Sequence, residues 1–130
     1  MTKSNGKASS NELAKLLTDM NEQGGFPISV LTDRHGFPIA SAAGPGHNAD
    51  TQSAVVAMVQ KTATQVRDQL GMAQTDEISL FDTNGQRLVC RPMSVNGHEM
   101  ILAVLVPDKD KSYRRLTNQA VSAIRRTWKL

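Results

Sequence analysis

The residue types that could do chemistry in this sequence are few, and they are not spaced for it. Cys90 is the only cysteine, and it alternates with Leu88 in a run that predicts a strand. A nucleophilic cysteine needs a positioned base and an electropositive setting, whereas a free cysteine on an apolar face is usually a core residue. The sequence therefore predicts a buried, inert thiol.

The remaining candidates are histidines and acidic residues. His35, His47 and His98 fall in predicted turns and a loop, and their spacing fits no zinc site. The acidic pair Asp76-Glu77 adjoins an element end, where capping and protection of a sheet edge explain it better than acid–base catalysis. No glycine-rich segment has phosphate-binding spacing. We therefore expect no enzyme activity, no catalytic residue, no metal and no cofactor.

The first and last helices are predicted from apolar spacing. Ser9 and Glu12 form a capping box ahead of an apolar stripe, which predicts a helix over roughly residues 10–23. A last helix over roughly 111–128 has one apolar side that can dock on a sheet. Its opposite side carries six cations, which are Lys111, Arg114, Arg115, Arg125, Arg126 and Lys129.

The longest predicted helix spans residues 49–70, with Asn48 as its cap and Gly71 as its stop. The centre of its apolar arc is expected to face a sheet, and it consists of Val55, Val59, Val66 and Leu70. Further apolar residues, namely Val56, Met58 and Ala63, widen the arc beyond what one sheet contact needs. One flank of this helix is therefore expected to pack against another chain.

Five strands are predicted, namely 26–32, 37–43, 77–82, 87–93 and 99–106. The first two are joined by an Asp-Arg-His-Gly turn and the last three by Asn-Gly turns, which are strong hairpin signals. The last strand is apolar on both pleat faces, so it must be central in a sheet covered on both sides. The strand at 77–82 has charged ends, which predicts an edge.

Composition bounds what these elements can build. The 130 residues are 39% hydrophobic and 21% charged, which is typical of one globular domain. Residues 1–8 are predicted to be a disordered tail and residues 9–130 a single domain of the α+β class in three layers. Aromatics are only 4%, so no nucleic acid partner is expected. The single cysteine and the lack of a secretory leader favour a cytoplasmic protein.

One group of residues carries a family resemblance. It comprises Leu13, Leu16-Leu17, Gly25-Phe26, Leu31-Thr32-Asp33-x-x-Gly36-Phe37-x-Ile39-Ala40-Ser41, Asn84-Gly85, Leu102-Ala103-Val104-Leu105-Val106 and Arg115-Leu116. Over about residues 11–128 the sequence resembles the Roadblock/dynein-light-chain family, as a bacterial-type, single-domain member. The Leu-Thr-Asp hairpin followed by Ile-Ala-Ser is the most specific part of the match.

The resemblance implies a five-stranded antiparallel sheet in the order 2-1-5-4-3. The first and last helices would cover one face and the long helix the other, as in profilin-like folds. It also implies a non-catalytic homodimer, or a heterodimer with a Roadblock paralogue, in which the third strands pair and the long helices meet. The partner it implies is a small Ras-like GTPase, which the module would bind and regulate or scaffold in a complex.

Two candidate surfaces follow. The candidate dimer interface consists of Val55, Val56, Met58, Val59, Ala63, Ile78, Ser79 and Leu80. The candidate docking face for a partner is the set of six cations on the last helix. As alternatives, the chain would be a PAS- or profilin-like sensor with a ligand cavity, or a module that docks peripherally on an anionic membrane surface.

Overall fold

The computed structural model describes residues 2–128, with side chains from residue 10 onward. Its helices are α1 (Thr2–Gly24), α2 (Ala49–Leu70) and α3 (Arg114–Thr127). Its strands are β1 (Ile28–Asp33), β2 (Pro38–Ala43), β3 (Ile78–Phe81), β4 (Arg87–Val95) and β5 (His98–Val106). None of the helices within the described residues is long and apolar enough to cross a membrane.

The five strands form one antiparallel sheet in the order β2-β1-β5-β4-β3, which confirms the predicted order. Strand β5 lies in the middle and pairs with β1 on one side and β4 on the other. Leu102 and Val104 point to the face covered by α1 and α3, whereas Ile101 and Ala103 point to the face covered by α2. The apolar character of both pleat faces therefore identified the central strand correctly.

The α1–α3 face holds the larger core. Leu13 and Leu17 of α1 and Ile124 of α3 are fully buried against the sheet. Helix α3 thus docks by its apolar side, as predicted. Helix α1 begins at Thr2, not near residue 10, so Ser9 does not cap its start. The predicted division into a tail at 1–8 and a domain at 9–130 stays a prediction.

Helix α2 has the predicted ends but not the predicted sheet-facing stripe. The Asn48 side chain accepts a hydrogen bond from the Thr51 N–H, and Gly71 closes the helix at a φ of 66°. Ser53 and Val56 are its buried residues. Residues 57–70 of α2 contribute no buried side chain. Val66 and Leu70 are 45% and 71% exposed, which makes their predicted position in the core wrong.

The turns that set the register follow from local chemistry. The Asp33 carboxylate accepts hydrogen bonds from the backbone N–H groups of His35 and Phe37, and Gly36 adopts a φ of 86°. Asn96 and Gly97 both have positive φ, at 49° and 81°, as a tight hairpin turn requires. These turns confirm two of the three predicted hairpins, and the antiparallel pairing of β3 with β4 around Asn84-Gly85 confirms the third.

Strand β3 is shorter than its neighbour, which leaves a step at this edge of the sheet. It pairs only with residues 87–90 of β4, so residues 91–95 of β4 have no outer neighbour among the described residues. Pro92 lies within this uncovered half. Proline has no N–H to donate, and within sheets it is found at such uncovered positions.

Candidate self-association surface

The edge strand β3 is the first part of the site. It pairs with β4 on one side only, so the backbone groups on its other side have no strand partner within the part of the chain that the structure describes. Leu80 and Phe81 are 60% and 54% exposed, which is unusual for large apolar side chains on an edge. An exposed strand edge with apolar side chains is a template for pairing with another strand.

A groove of about 810 Å³ lies beside β3, between the strand and the outer flank of α2. The segment that joins α2 to β3 also lines the groove, from Met72 to Glu77. Met58 on α2 is 65% exposed and Met72 in the connecting segment is 60% exposed. Strand edge and helix flank thus form one continuous apolar surface, and such a surface marks an interaction site.

The structure divides the eight residues of the candidate dimer interface into two groups. Six of them line the groove, namely Met58, Val59, Ala63, Ile78, Ser79 and Leu80. Val56 is fully buried under α2 within the chain's own core, so its assignment to the interface is wrong. Val55 is half-buried and does not line the groove.

Sequence reasoning missed part of the groove. Thr62 and Val66 on α2, together with Met72, also line it. Val66 was predicted to belong to the apolar arc of α2, but in the part that faces the sheet. The signal in the sequence was Met72, a large apolar residue that directly follows the helix stop at Gly71 in a short connecting segment.

The basic side of α3 is smaller than predicted. Arg115, Arg125 and Arg126 are exposed, and no carboxylate of the described residues forms an ion pair with them. Lys111 is exposed but precedes the helix, and Lys129 lies outside the described residues. Arg114 is exposed as well, but it is held by two acidic side chains of its own chain. Its membership of the docking face stays a prediction.

Reversing the charge of the remaining three arginines should leave the fold intact. In the variant with Arg115, Arg125 and Arg126 all changed to Glu, we expect the free energy of unfolding to fall by about 1 kcal/mol or less per substitution, because the side chains are exposed. Chemical denaturation measures this change. Cosedimentation with anionic phospholipid vesicles then tests docking. Salt-sensitive binding by the wild type alone would show that the face docks on membranes, and no binding by either protein would leave a solvated helix face.

The two acids that hold Arg114 precede β3 directly. The Arg114 guanidinium donates to Glu77 Oε1 at 2.6 Å and to Asp76 Oδ2 at 2.9 Å. The Tyr113 hydroxyl donates to Glu77 Oε2 at 2.6 Å. We call these four residues, Asp76, Glu77, Tyr113 and Arg114, the Arg114 cluster. Their contacts join the start of α3 to the start of the edge strand, whereas the sequence predicted capping and edge protection for the acidic pair.

Electrostatics within the Arg114 cluster favour the ionised form of Glu77. Burial acts to raise the pKa of Glu77, but hydrogen bonds from Tyr113, Arg114 and Ser79 outweigh it and hold that pKa below its usual value. Nearby, Arg91 is almost fully buried, and its guanidinium donates to Thr117 Oγ1 at 3.0 Å and Asn118 Oδ1 at 2.6 Å. Burial, followed by repulsion from Arg114, lowers the pKa of Arg91.

The residues first considered for chemistry lie apart from the groove. Cys90 is buried on the α2 face, and burial raises the pKa of its thiol to about 12, so the thiol stays protonated. His35, His47 and His98 are exposed, as predicted for turn and loop positions. Within the described part of the chain, no three His, Cys, Asp or Glu side chains come together as metal ligands would.

Solved structures share this arrangement of strands and helices over nearly the whole chain. The gliding protein MglB from Thermus thermophilus has a TM-score of 0.74 at 19% sequence identity, covering 92% of this chain and 90% of that chain. The Roadblock/LC7 domain from Streptomyces avermitilis has a TM-score of 0.70 at 13% identity, covering 87% and 92%. The chain has the Roadblock fold. MglB from Myxococcus xanthus agrees, with a TM-score of 0.68 at 12% identity over 90% and 84% of the two chains.

The Roadblock fold confirms the resemblance inferred from the sequence at the level of architecture. No protein-family model matches the sequence, and no curated protein matches it. The Leu31-Thr32-Asp33 segment that carried the resemblance forms the end of β1, and Gly36 completes the turn after it. Short local patterns thus identified the Roadblock fold where overall sequence similarity is too low to do so.

Proposed function

We propose that this chain is a non-catalytic Roadblock-type module that associates with a second copy of itself, or with a Roadblock paralogue, through β3 and the outer flank of α2. The observation that supports this most directly is the groove, because an unpaired strand edge and exposed apolar side chains occur there together. Pairing of two β3 strands across a twofold axis would satisfy both edges at once.

A second copy fits the groove better than a small ligand does. The groove lies between α2 and β3, the edge strand of the sheet, and β3 has no strand partner on its outer side among the described residues. A ligand-sensing domain would instead enclose its ligand in a cleft that covers most of the ligand surface. The PAS- or profilin-like alternative is therefore the weaker one, and self-association is the function that the geometry favours.

We further propose that the paired module binds a small Ras-like GTPase in the cytoplasm, and regulates it or scaffolds its complex. The support is the Roadblock resemblance in sequence together with the Roadblock fold. No constellation of acid, base and nucleophile was found in the sequence, so a binding role is favoured over catalysis.

Two measurements test the proposal in order. Sedimentation velocity over a concentration series should show a dimer at about micromolar protein, and a monomer at every concentration would contradict self-association. Affinity capture from native lysate should then recover a GTPase that, once purified, rebinds the chain in a nucleotide-dependent manner. Recovery of no GTPase in either nucleotide state would contradict the second part and leave the first intact.

A further inference from the structure

The two pleat faces of β3 contact different parts of the molecule. Ile78 and Leu80 alternate with Ser79 and Phe81 along the strand, and the Ser79 hydroxyl and the Phe81 ring contact Glu77 and Arg87 on the α3 side, although Ser79 also lines the groove. The Ser79 hydroxyl donates to Glu77 Oε2 at 3.0 Å. The edge strand is thus held on its α3 side by hydrogen bonds and stacking contacts that involve Glu77, Ser79 and Phe81.

The α3 side of β3 is fixed further by a stacked arginine. The Arg87 guanidinium carbon lies 3.9 Å from the centre of the Phe81 ring and 4.8 Å from the centre of the Tyr113 ring. A cation between two aromatic faces is attracted to both. Arg87 therefore connects the end of β3 to the residue that precedes α3, and Tyr113 also donates to Glu77.

The positive charge in this region is offset most fully while both carboxylates are ionised. Three arginines come together here, namely Arg87, Arg91 and Arg114, and the acids facing them are Asp76 and Glu77. Glu77 is the more enclosed acid, with a side chain 17% exposed against 74% for Asp76. Loss of the Glu77 charge would leave Arg91 and Arg114 to repel each other with one exposed carboxylate between them.

We propose that the Arg114 cluster is a latch that holds β3 in the position from which it pairs, so that self-association depends on α3 at the opposite face of the sheet. This inference rests on the proposed self-association. The segment from Met72 to Glu77 also lines the groove. Its attachment to α3 through Asp76 and Glu77 therefore affects the shape of the groove.

The latch has a defined dependence on pH. Because the pKa of Glu77 is lowered in the folded chain, its ionised form contributes stability above the pKa it has when unfolded, about 4.3. That contribution is lost as the pH falls through the lower, folded value. The latch is therefore closed at neutral pH and opens in acid.

The test replaces Glu77 by glutamine, which removes the charge and keeps the shape. Because glutamine lacks the charge that accepts from Tyr113 and Arg114, we expect the dimer dissociation constant at pH 7 to rise about tenfold or more. Hydrogen exchange at the β3 amides bonded to β4 should accelerate as well. The matched control is Glu99→Gln, since Glu99 pairs with Arg34 at 3.1 Å in an exposed position outside the cluster. The control should change neither quantity.

The double variant with Glu77→Gln and Arg114→Gln adds a second readout. If the two residues act as one latch, the double variant should lose less affinity than the sum of two independent losses, and it should be close to either single variant. Strictly additive losses would overturn the latch. So would a dissociation constant and an exchange rate for Glu77→Gln that equal those of the wild type.

Failure of the latch is distinguishable from failure of the proposed function. If the wild type stays monomeric at every concentration, self-association is wrong. Hydrogen exchange at the β3 amides of the monomer then still tests whether the Arg114 cluster holds the strand. Faster exchange at β3 in Glu77→Gln alone would then support it as a device that orders the strand. Equal exchange in all three proteins would overturn it.

Discussion

Replacing Leu80 by arginine should abolish self-association, with a rise of about a hundredfold or more in the dimer dissociation constant. Burying a leucine side chain contributes about 1.5–3 kcal/mol, and a twofold interface contains it twice. Each 1.4 kcal/mol corresponds to about tenfold in affinity. Because Leu80 is 60% exposed in the single chain, the change should leave the fold intact. Sedimentation velocity and circular dichroism measure the two effects.

Phe37→Arg is the matched control for Leu80→Arg. Phe37 is another large apolar residue, 67% exposed, but it lies in the turn between β1 and β2 and does not line the groove. It should leave the dissociation constant unchanged. Equal weakening by both variants, or by neither, would show that the groove is not the interface.

Replacing Gly36 by alanine should lower the free energy of unfolding by about 3 kcal/mol. Part of the loss is the left-handed backbone at a φ of +86°, which costs an L-residue about 1–2 kcal/mol. The rest is overpacking, about 1–3 kcal/mol, because a Cβ there would lie 2.7 Å from the Ala57 Cβ and 2.8 Å from the Ser53 carbonyl oxygen. Both contacts belong to α2, which cannot move away without leaving the sheet. Urea denaturation measures the loss.

Gly46→Ala separates the two causes. Gly46 has nearly the same φ, +81°, but a Cβ there would meet nothing within 4 Å. It should therefore cost only the backbone part, about 1–2 kcal/mol. If Gly36→Ala costs no more than Gly46→Ala, the close approach of the hairpin to α2 is not a source of stability.

The parts of the fold that were predictable from sequence are those decided by neighbouring residues. The Asp33–Gly36 turn, the Asn96-Gly97 turn and the Asn48 cap each need only a few adjacent side chains and backbone groups. The central position of β5 is almost as local, because apolar residues on both pleat faces have to be covered. Once these elements are placed, few arrangements of the sheet and helices remain possible.

The candidate site was harder to predict because it depends on which part of α2 the sheet covers. Val56 and Val66 are the same residue type on one helix, yet the first is fully buried and the second is 45% exposed. Hydrophobic periodicity reports that a stripe must be covered and does not report by which chain. Arg114 shows the same limit, since its partners lie 37 and 38 positions away in sequence.

The step between β3 and β4 bears on how large an assembly can grow. When two β3 strands pair, the outer edge of each four-residue β3 strand is occupied. The neighbouring part of this sheet edge is the uncovered half of β4, which includes Pro92. A further strand arriving there would find a missing donor and a break in the ladder. Growth by continued strand addition at this end therefore stops at two copies. If the chain self-associates through β3 as proposed, the short, stepped edge would allow a closed complex of two copies without continued growth into fibres.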